Sequence, residues 1–174
     1  AQNDRDIYNL LENADSNIEL SDNENKIGEE YLKRMGVQDF NKIICLNVRD
    51  SAFLPNLDYH NYRDGNIEKY VLAAEELAKR GYYVFRMGAK VHRALKSSNP
   101  KIIDYANSKM RSDFMDIYLG AKCTFCISTW LGFDAIPFVF RKPIAFIFLP
   151  FGHLKAENEK DLLITKHHIN KINK

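Results

Sequence analysis

With 174 residues, 45% of them hydrophobic and 28% charged, the chain has the composition of an ordinary globular domain able to bury a sizeable core. A net charge of +2 carried by scattered Lys and Arg gives no basic stripe, which argues against a nucleic-acid partner. No apolar run approaches the roughly 20 residues of a membrane-spanning helix, and three cysteines are an odd number that argues against a disulfide framework and for a reducing compartment, the cytoplasm. The N-terminus, Ala1-Gln2-Asn3-Asp4, has neither an initiator Met nor a basic-then-apolar leader, so the chain reads as a fragment of a longer protein.

Residues 1–20 are rich in Asn and Asp, with Ile7, Leu10 and Leu11 at helical spacing, and form a lead-in to a domain over 21–174. Ser21-Asp22-Asn23-Glu24 is a capping box that opens a helix through Ile27, Tyr31 and Leu32, closing at Gly36. The near-continuous apolar run over 43–48 predicts a strand covered on both faces. A long polar loop, Arg49 to Gly65, comes next, and a loop of that length inside a compact domain is usually functional. Asn66 caps a helix through Arg80, with Ile67, Tyr70, Val71, Ala74, Leu77 and Ala78 on its apolar stripe. Strands are then expected at 82–87, at Ile102-Ile103, at 123–127 and at 143–149. A helix from about Ser112 and a short one after Ser128 to Gly132, ended by Pro137, fill the gaps. Leu162-Leu163-Ile164 is a last apolar run near the C-terminus. This alternation predicts an α/β fold: a Rossmann-like, mostly parallel sheet with helices on both faces.

Ligands of open α/β sheets bind beyond the carboxyl ends of the strands, and the residues there are informative. Arg49 and Asp50 follow the first strand, either as a pair that terminates it or as a fork for a diphosphate. Arg63, after His60-Asn61-Tyr62, and Arg86, at the end of the second strand, are expected at the same edge. Ser128 and Thr129 stand at a strand-to-helix turn, where hydroxyls and backbone N–H groups make either an N-cap or an anion nest. Asp113 and Asp116 share a helical face, with Asp113 near the dipole's positive end. Cys123 and Cys126 form a lone CxxC without further ligands and read as buried core residues, and no metal is assigned. The GxGxxG fingerprint follows none of the strands, which counts against a nicotinamide-dependent epimerase.

From Ile43 to Lys142 the order of motifs resembles a family of bacterial glycosyltransferases of surface-polysaccharide synthesis. The segments that carry the resemblance are Cys45 to Phe53, His60 to Asp64, Gly81 to Gly88, Ile103 to Tyr105, Ser112 to Asp116 and Ile136-Pro137. More distantly, Arg49 and the Ser128-Thr129 turn are similar to the donor-binding region of fucosyltransferases, although Asn47 stands where those enzymes have His. The resemblance implies one lobe of a GT-B-type, metal-independent enzyme with no cofactor, moving a sugar from a nucleotide diphosphate donor to a polysaccharide or lipid-linked acceptor. It implies catalytic roles for Arg49, Asp50 and His60, and donor contacts from Arg63, Arg86, Ser128, Thr129 and Asp113. The expected location is the cytoplasm or the inner face of the plasma membrane. A non-catalytic nucleotide or sugar-phosphate binding module, or another sugar-modifying transferase, remains the alternative.

Overall fold

The computed structural model describes residues 14–149 and 159–167. The lead-in residues Ile7, Leu10 and Leu11 lie outside the described residues, as do His153 and His168. Six strands form one all-parallel sheet: β1 Ile43–Asn47, β2 Tyr83–Arg86, β3 Ile102–Ile103, β4 Phe125–Ser128, β5 Ile144–Leu149 and β6 Leu162–Thr165. Their spatial order is β3-β2-β1-β4-β5-β6, so the winding reverses between β1 and β4, as in the doubly wound nucleotide-binding fold.

The helices are α1 Asp22–Arg34, α2 Val71–Lys79, α3 Asp113–Lys122 and α4 Ala135–Val139. The capping box at α1 forms as expected: the Ser21 hydroxyl accepts from the Glu24 amide, and the Glu24 carboxylate accepts from the Ser21 amide at 2.7 Å. Past the end of α1, Gly36 adopts φ +84, a left-handed conformation that costs glycine little.

All five residues of β1 are buried, and its side chains divide between two cores. Ile43 and Cys45 join Leu32 of α1 and Met115, Tyr118 and Leu119 of α3 on one face. Ile44 and Leu46 join Ile67, Tyr70, Ala74 and Ala78 on the other, where α2 lies. Helices on both faces explain why β1 lacks the alternation of a half-exposed strand. Cys45, Cys123 and Cys126 are all free and fully buried, and burial pushes the Cys45 and Cys126 thiols well above their usual range.

Three element boundaries differ from the sequence expectation by more than a single residue. The helix expected from Asn66 begins as a 3-10 segment, Ile67–Tyr70, with the Asn66 side chain accepting from the Glu68 amide, and becomes α-helical at Val71. Strand β4 starts at Phe125 rather than Cys123, because the Cys123 amide still donates to Leu119 at the end of α3. Pro137 does not end the last helix but lies within the first turn of α4, where its missing N–H would have had no helical partner. The run Leu162-Leu163-Ile164 is the edge strand β6, pairing with β5 across an irregularity at Phe148.

Gly28 packs α1 onto α3 by its lack of a side chain, since an added Cβ would stand 2.1 Å from the Tyr118 ring. Gly28→Ala is expected to cost about 1–3 kcal/mol in urea unfolding through overpacking. Gly36→Ala, with no atom within 4 Å of the added Cβ, should cost only the roughly 1–2 kcal/mol of its left-handed backbone. A loss below about 1 kcal/mol for Gly28→Ala would refute the packing account.

Candidate functional site

The last residue of a strand buried on both faces must still satisfy its polar groups. Asn47 ends β1 in register with Ser128, which ends β4, and both are buried. The Asn47 amide donates to Asp134 Oδ1 at 3.4 Å, and the Leu131 amide donates to Asp134 Oδ2 at 2.6 Å. Ser128 Oγ accepts from the Trp130 amide at 3.1 Å and also bonds to the Asp134 carboxylate. Thr129 Oγ1 accepts from the Arg49 amide at 2.8 Å, and the Thr129 amide donates to the Asn47 carbonyl at 3.1 Å. The ends of β1 and β4 are therefore laced together, and the turn between β4 and α4 is held in one conformation. Within it Trp130 takes φ +66, strained for a non-glycine residue, while its ring packs on Phe146.

Burial raises the Asp134 carboxyl to a pKa of about 6, against the opposing hydrogen bonds from Ser128, Leu131 and Asn47 and the charge of Arg63. Only 8% of Asp134 is exposed.

The loop from Arg49 to Gly65 leaves the end of β1, at the crevice that the reversal of sheet order creates, its two ends tied by the Gly65 amide donating to the Arg49 carbonyl at 2.8 Å. Arg49 is 7% exposed, and its Nε lies 3.3 Å from Asp64. Arg63 Nη2 donates to the Trp130 carbonyl, pinning the loop to the β4 turn. From the far side Lys166, just past β6, donates to the Tyr62 carbonyl and feels both Asp64 and Arg63. Burial, with Arg63 beside it, lowers the Lys166 pKa, while Asp64 opposes the shift. Arg49 and Lys166 thus lie near Asp64, with Arg63 beside Lys166 and acting on Asp134, three cations near two carboxylates at the point where the sheet order reverses.

A second concavity, a cleft of about 380 Å³, opens beside the first at the ends of β1 and β2. Asp50, Asp64, Arg86, His92 and Arg93 line it, over an apolar floor of Val48 and Ile67. Arg86 is 1% exposed and stands between Asp50 at 3.6 Å and Asp104 at 3.7 Å. Asp50 also accepts from the amides of Ala52 and His92, at 3.0 and 2.9 Å, so its carboxylate organises the loop ends. His92 Nε2 lies 3.4 Å from Ser51 Oγ.

Of the residues proposed from the sequence, Arg49, Arg63, Ser128 and Thr129 meet at the β1–β4 crevice, and Asp50 and Arg86 meet in the neighbouring cleft. The Ser128 hydroxyl is engaged within the turn, and the Thr129 hydroxyl is engaged by the Arg49 amide after β1. His60 is on the 3-10 segment Asp58–Arg63, its ring against Tyr59, and does not line the cleft. The Asp113 side chain is 97% exposed and pairs with Arg111 at 3.5 Å. Sequence reasoning assigned no role to Asp64, His92, Asp134 or Lys166. Asp134 carried no capping-box signal, because Leu131, three positions before it, has no side-chain acceptor. Lys166 carried none, since only the pairing of β6 with β5 brings it across the sheet edge. Among the described residues no group of three or more His, Cys, Asp or Glu could hold a metal ion, and no helix is long and apolar enough to cross a membrane.

The sequence matches no protein-family model. It matches no curated protein. The fold is similar to the crystal structure of the glycosyl transferase family 9 from Veillonella parvula DSM 2008, with a TM-score of 0.58 and 13% sequence identity. The match covers 85% of this chain and 42% of that one, so the chain spans about two fifths of the neighbour's length.

A carboxyl that is protonated more easily folded than unfolded stabilises the fold at low pH, and the folded state loses that advantage as pH rises towards the folded pKa. For Asp134 the window runs from about pH 4, the unfolded value, to about 6, and the loss is on the order of 2–3 kcal/mol. The unfolding free energy of Asp134→Asn relative to the parent should therefore rise across this window. A difference independent of pH would show that Asp134 is not the titrating group.

Proposed function

We propose that this domain is the nucleotide-sugar-binding lobe of a GT-B-type glycosyltransferase, which moves a sugar from a nucleotide diphosphate to a polysaccharide or lipid-linked acceptor in the cytoplasm or at the inner face of the membrane. The observation that carries this reading is the gathering of Arg49, Arg63 and Lys166 at the switch point of a doubly wound sheet. Three cations against the carboxylates of Asp64 and Asp134, the second already hydrogen-bonded within the β4 turn, leave positive charge for an anion, and the switch point is where such sheets take their ligands. The similarity in fold to a glycosyl transferase family 9 structure supports the same direction.

In this reading Arg63 and Lys166 hold the diphosphate against the Thr129-Trp130 turn. No carboxylate lies within ion-pair distance of either among the described residues, so neither needs to give up an ion pair to bind phosphate. Arg49 acts from beneath, its guanidinium shared between Asp64 and the incoming group. As the bond to the sugar breaks, charge grows on the departing diphosphate, and fixed cations in a partly dry crevice stabilise that charge more than they stabilise the bound donor. A base for the acceptor hydroxyl is sought among Asp50, His60 and His92. Of these, Asp50 and His92 line the cleft beside the cations.

Nucleoside diphosphates should raise the melting temperature of the domain, a ligand at a hundred times its Kd adding about 2.7 kcal/mol. Arg63→Ala and Lys166→Ala should each weaken that binding about tenfold, the loss of roughly 1.4 kcal/mol, and lower the unliganded melting temperature by no more than about 4 degrees, the cost of one hydrogen bond. Variants that bind as the parent does would remove these cations from the site. In a transfer assay Arg49→Ala should lower kcat by about a hundredfold with a smaller change in KM, because its interaction strengthens as the leaving charge develops. Unchanged turnover would remove Arg49 from the chemistry.

A further inference from the structure

The cleft at the ends of β1 and β2 differs from the crevice in one decisive respect: its charges are already balanced. Arg86 is held between Asp50 and Asp104, Arg93 lies 3.6 Å from Glu68, and Asp64 faces Arg49. A phosphate entering here would meet the carboxylates of Asp50 and Asp64 and gain no uncompensated cation. Yet Arg86, almost wholly buried, lines the cleft; its Nε and Nη1 are buried without hydrogen-bond partners, and its two ion pairs are longer than hydrogen bonds. The walls mix acceptors, the carboxylates of Asp50 and Asp64, with the donors of Arg86 and Arg93, and with Ser51 and Asn66, which do both. The floor is the aliphatic surface of Val48 and Ile67.

We infer that this cleft is a subsite for a neutral sugar ring. A hexose has hydroxyls that both donate and accept, vicinal pairs that a carboxylate or guanidinium can take two at a time, and a C–H face suited to Val48 and Ile67. Its neutrality leaves the ion pairs of the walls intact. The volume of about 380 Å³ is within the range of small-ligand pockets. The cleft adjoins the cationic crevice through Asp64, which lines the one and pairs with Arg49 of the other, so the ring would sit next to the diphosphate. This inference rests on the glycosyl-transfer reading and divides its site into an anionic end and a neutral end.

The test follows backbone amide chemical shifts of the isotope-labelled domain during titration with free glucose, galactose and mannose, with inorganic pyrophosphate, and with uridine. The expected result is that at least one hexose moves the amides of Ser51, Gly65, Asn66 and His92, whereas pyrophosphate moves those of Thr129 and Trp130 and does not displace the hexose. Ser51→Trp, which fills the cleft from its wall and leaves every ion pair in place, should abolish the hexose shifts and keep the pyrophosphate shifts. Asp50→Asn, which keeps one of the two oxygens that accept from the Ala52 and His92 amides and turns the other into a donor, should weaken hexose binding at least threefold. Cleft amides unmoved by all three hexoses, moved instead by uridine, or moved by pyrophosphate with loss of the hexose, would each overturn the inference. Failure of pyrophosphate at Thr129 and Trp130 would count against the glycosyl-transfer reading separately. A nucleotide sugar then distinguishes the two sources of the ring: it displaces the hexose if the cleft holds the donor's sugar and binds alongside it if the cleft holds the acceptor's. Either outcome supports the subsite.

Discussion

A strand with both faces buried has nowhere to put a polar residue except at its end, and β1 ends on Asn47 with the chain still under cover. That amide has to be satisfied inside the protein, and the group that satisfies it is Asp134, 87 residues further on. Much of the site geometry follows from this requirement. Asp134 also takes the Leu131 amide and Ser128, which fixes the turn after β4, and the fixed turn presents Thr129 to the Arg49 amide and the Trp130 carbonyl to Arg63. The left-handed backbone at Trp130 is the strain that this over-determined turn can hold.

The same lacing explains how arginines at one sheet edge come to have different chemistry. Arg86 belongs to β2 itself, so its guanidinium is drawn into the sheet's end and needs the two carboxylates of Asp50 and Asp104 to be tolerated there. Burial lowers its pKa, and the charges of those two carboxylates act in the opposite direction. Arg63 is on the loop, outside the layer of strand ends, and can make do with a carbonyl. Arg49 lies between these extremes, sharing Asp64. Position relative to the last residue of a strand therefore decides whether a cation is structural or has charge to offer. The partition into a cationic crevice and a balanced cleft grows out of sheet topology.

Loop 49–65 joins the two concavities. Its exposed Phe53, Leu54, Tyr59 and Tyr62 make few demands on the core, and its hold on the domain comes from polar ties at Arg49, Asp50, Ser51, Tyr62, Arg63, Asp64 and Gly65. A segment with few buried apolar contacts is one that opens at low free-energy cost. Its ties to the β4 turn and to Lys166 run through the carbonyls of Trp130 and Tyr62.

Much of the architecture could be read in the chain order of side chains. The unbroken apolar run ending at Asn47 implied a strand covered twice, Ser21 with Glu24 implied the start of α1, and alternating strands and helices implied a parallel sheet, because these features depend on neighbours in sequence. The positions of Arg49, Arg63, Ser128 and Thr129 at one edge followed from that sheet, since parallel strands share a carboxyl end. The strand order, which places β1 beside β4 rather than outside it, was not legible, and neither were the partners that neutralise each arginine. Asp64, Asp104 and Asp134 are ordinary acidic residues in the sequence, and Lys166 is one lysine among several after an apolar run. Their roles come from distances set by packing, and Coulomb energies and hydrogen bonds depend on those distances rather than on separation along the chain. The sequence by itself determined which elements form and which end of the sheet is polar. Only the tertiary structure decided which charges are cancelled and which remain to meet a ligand, because charge compensation is a property of positions in space.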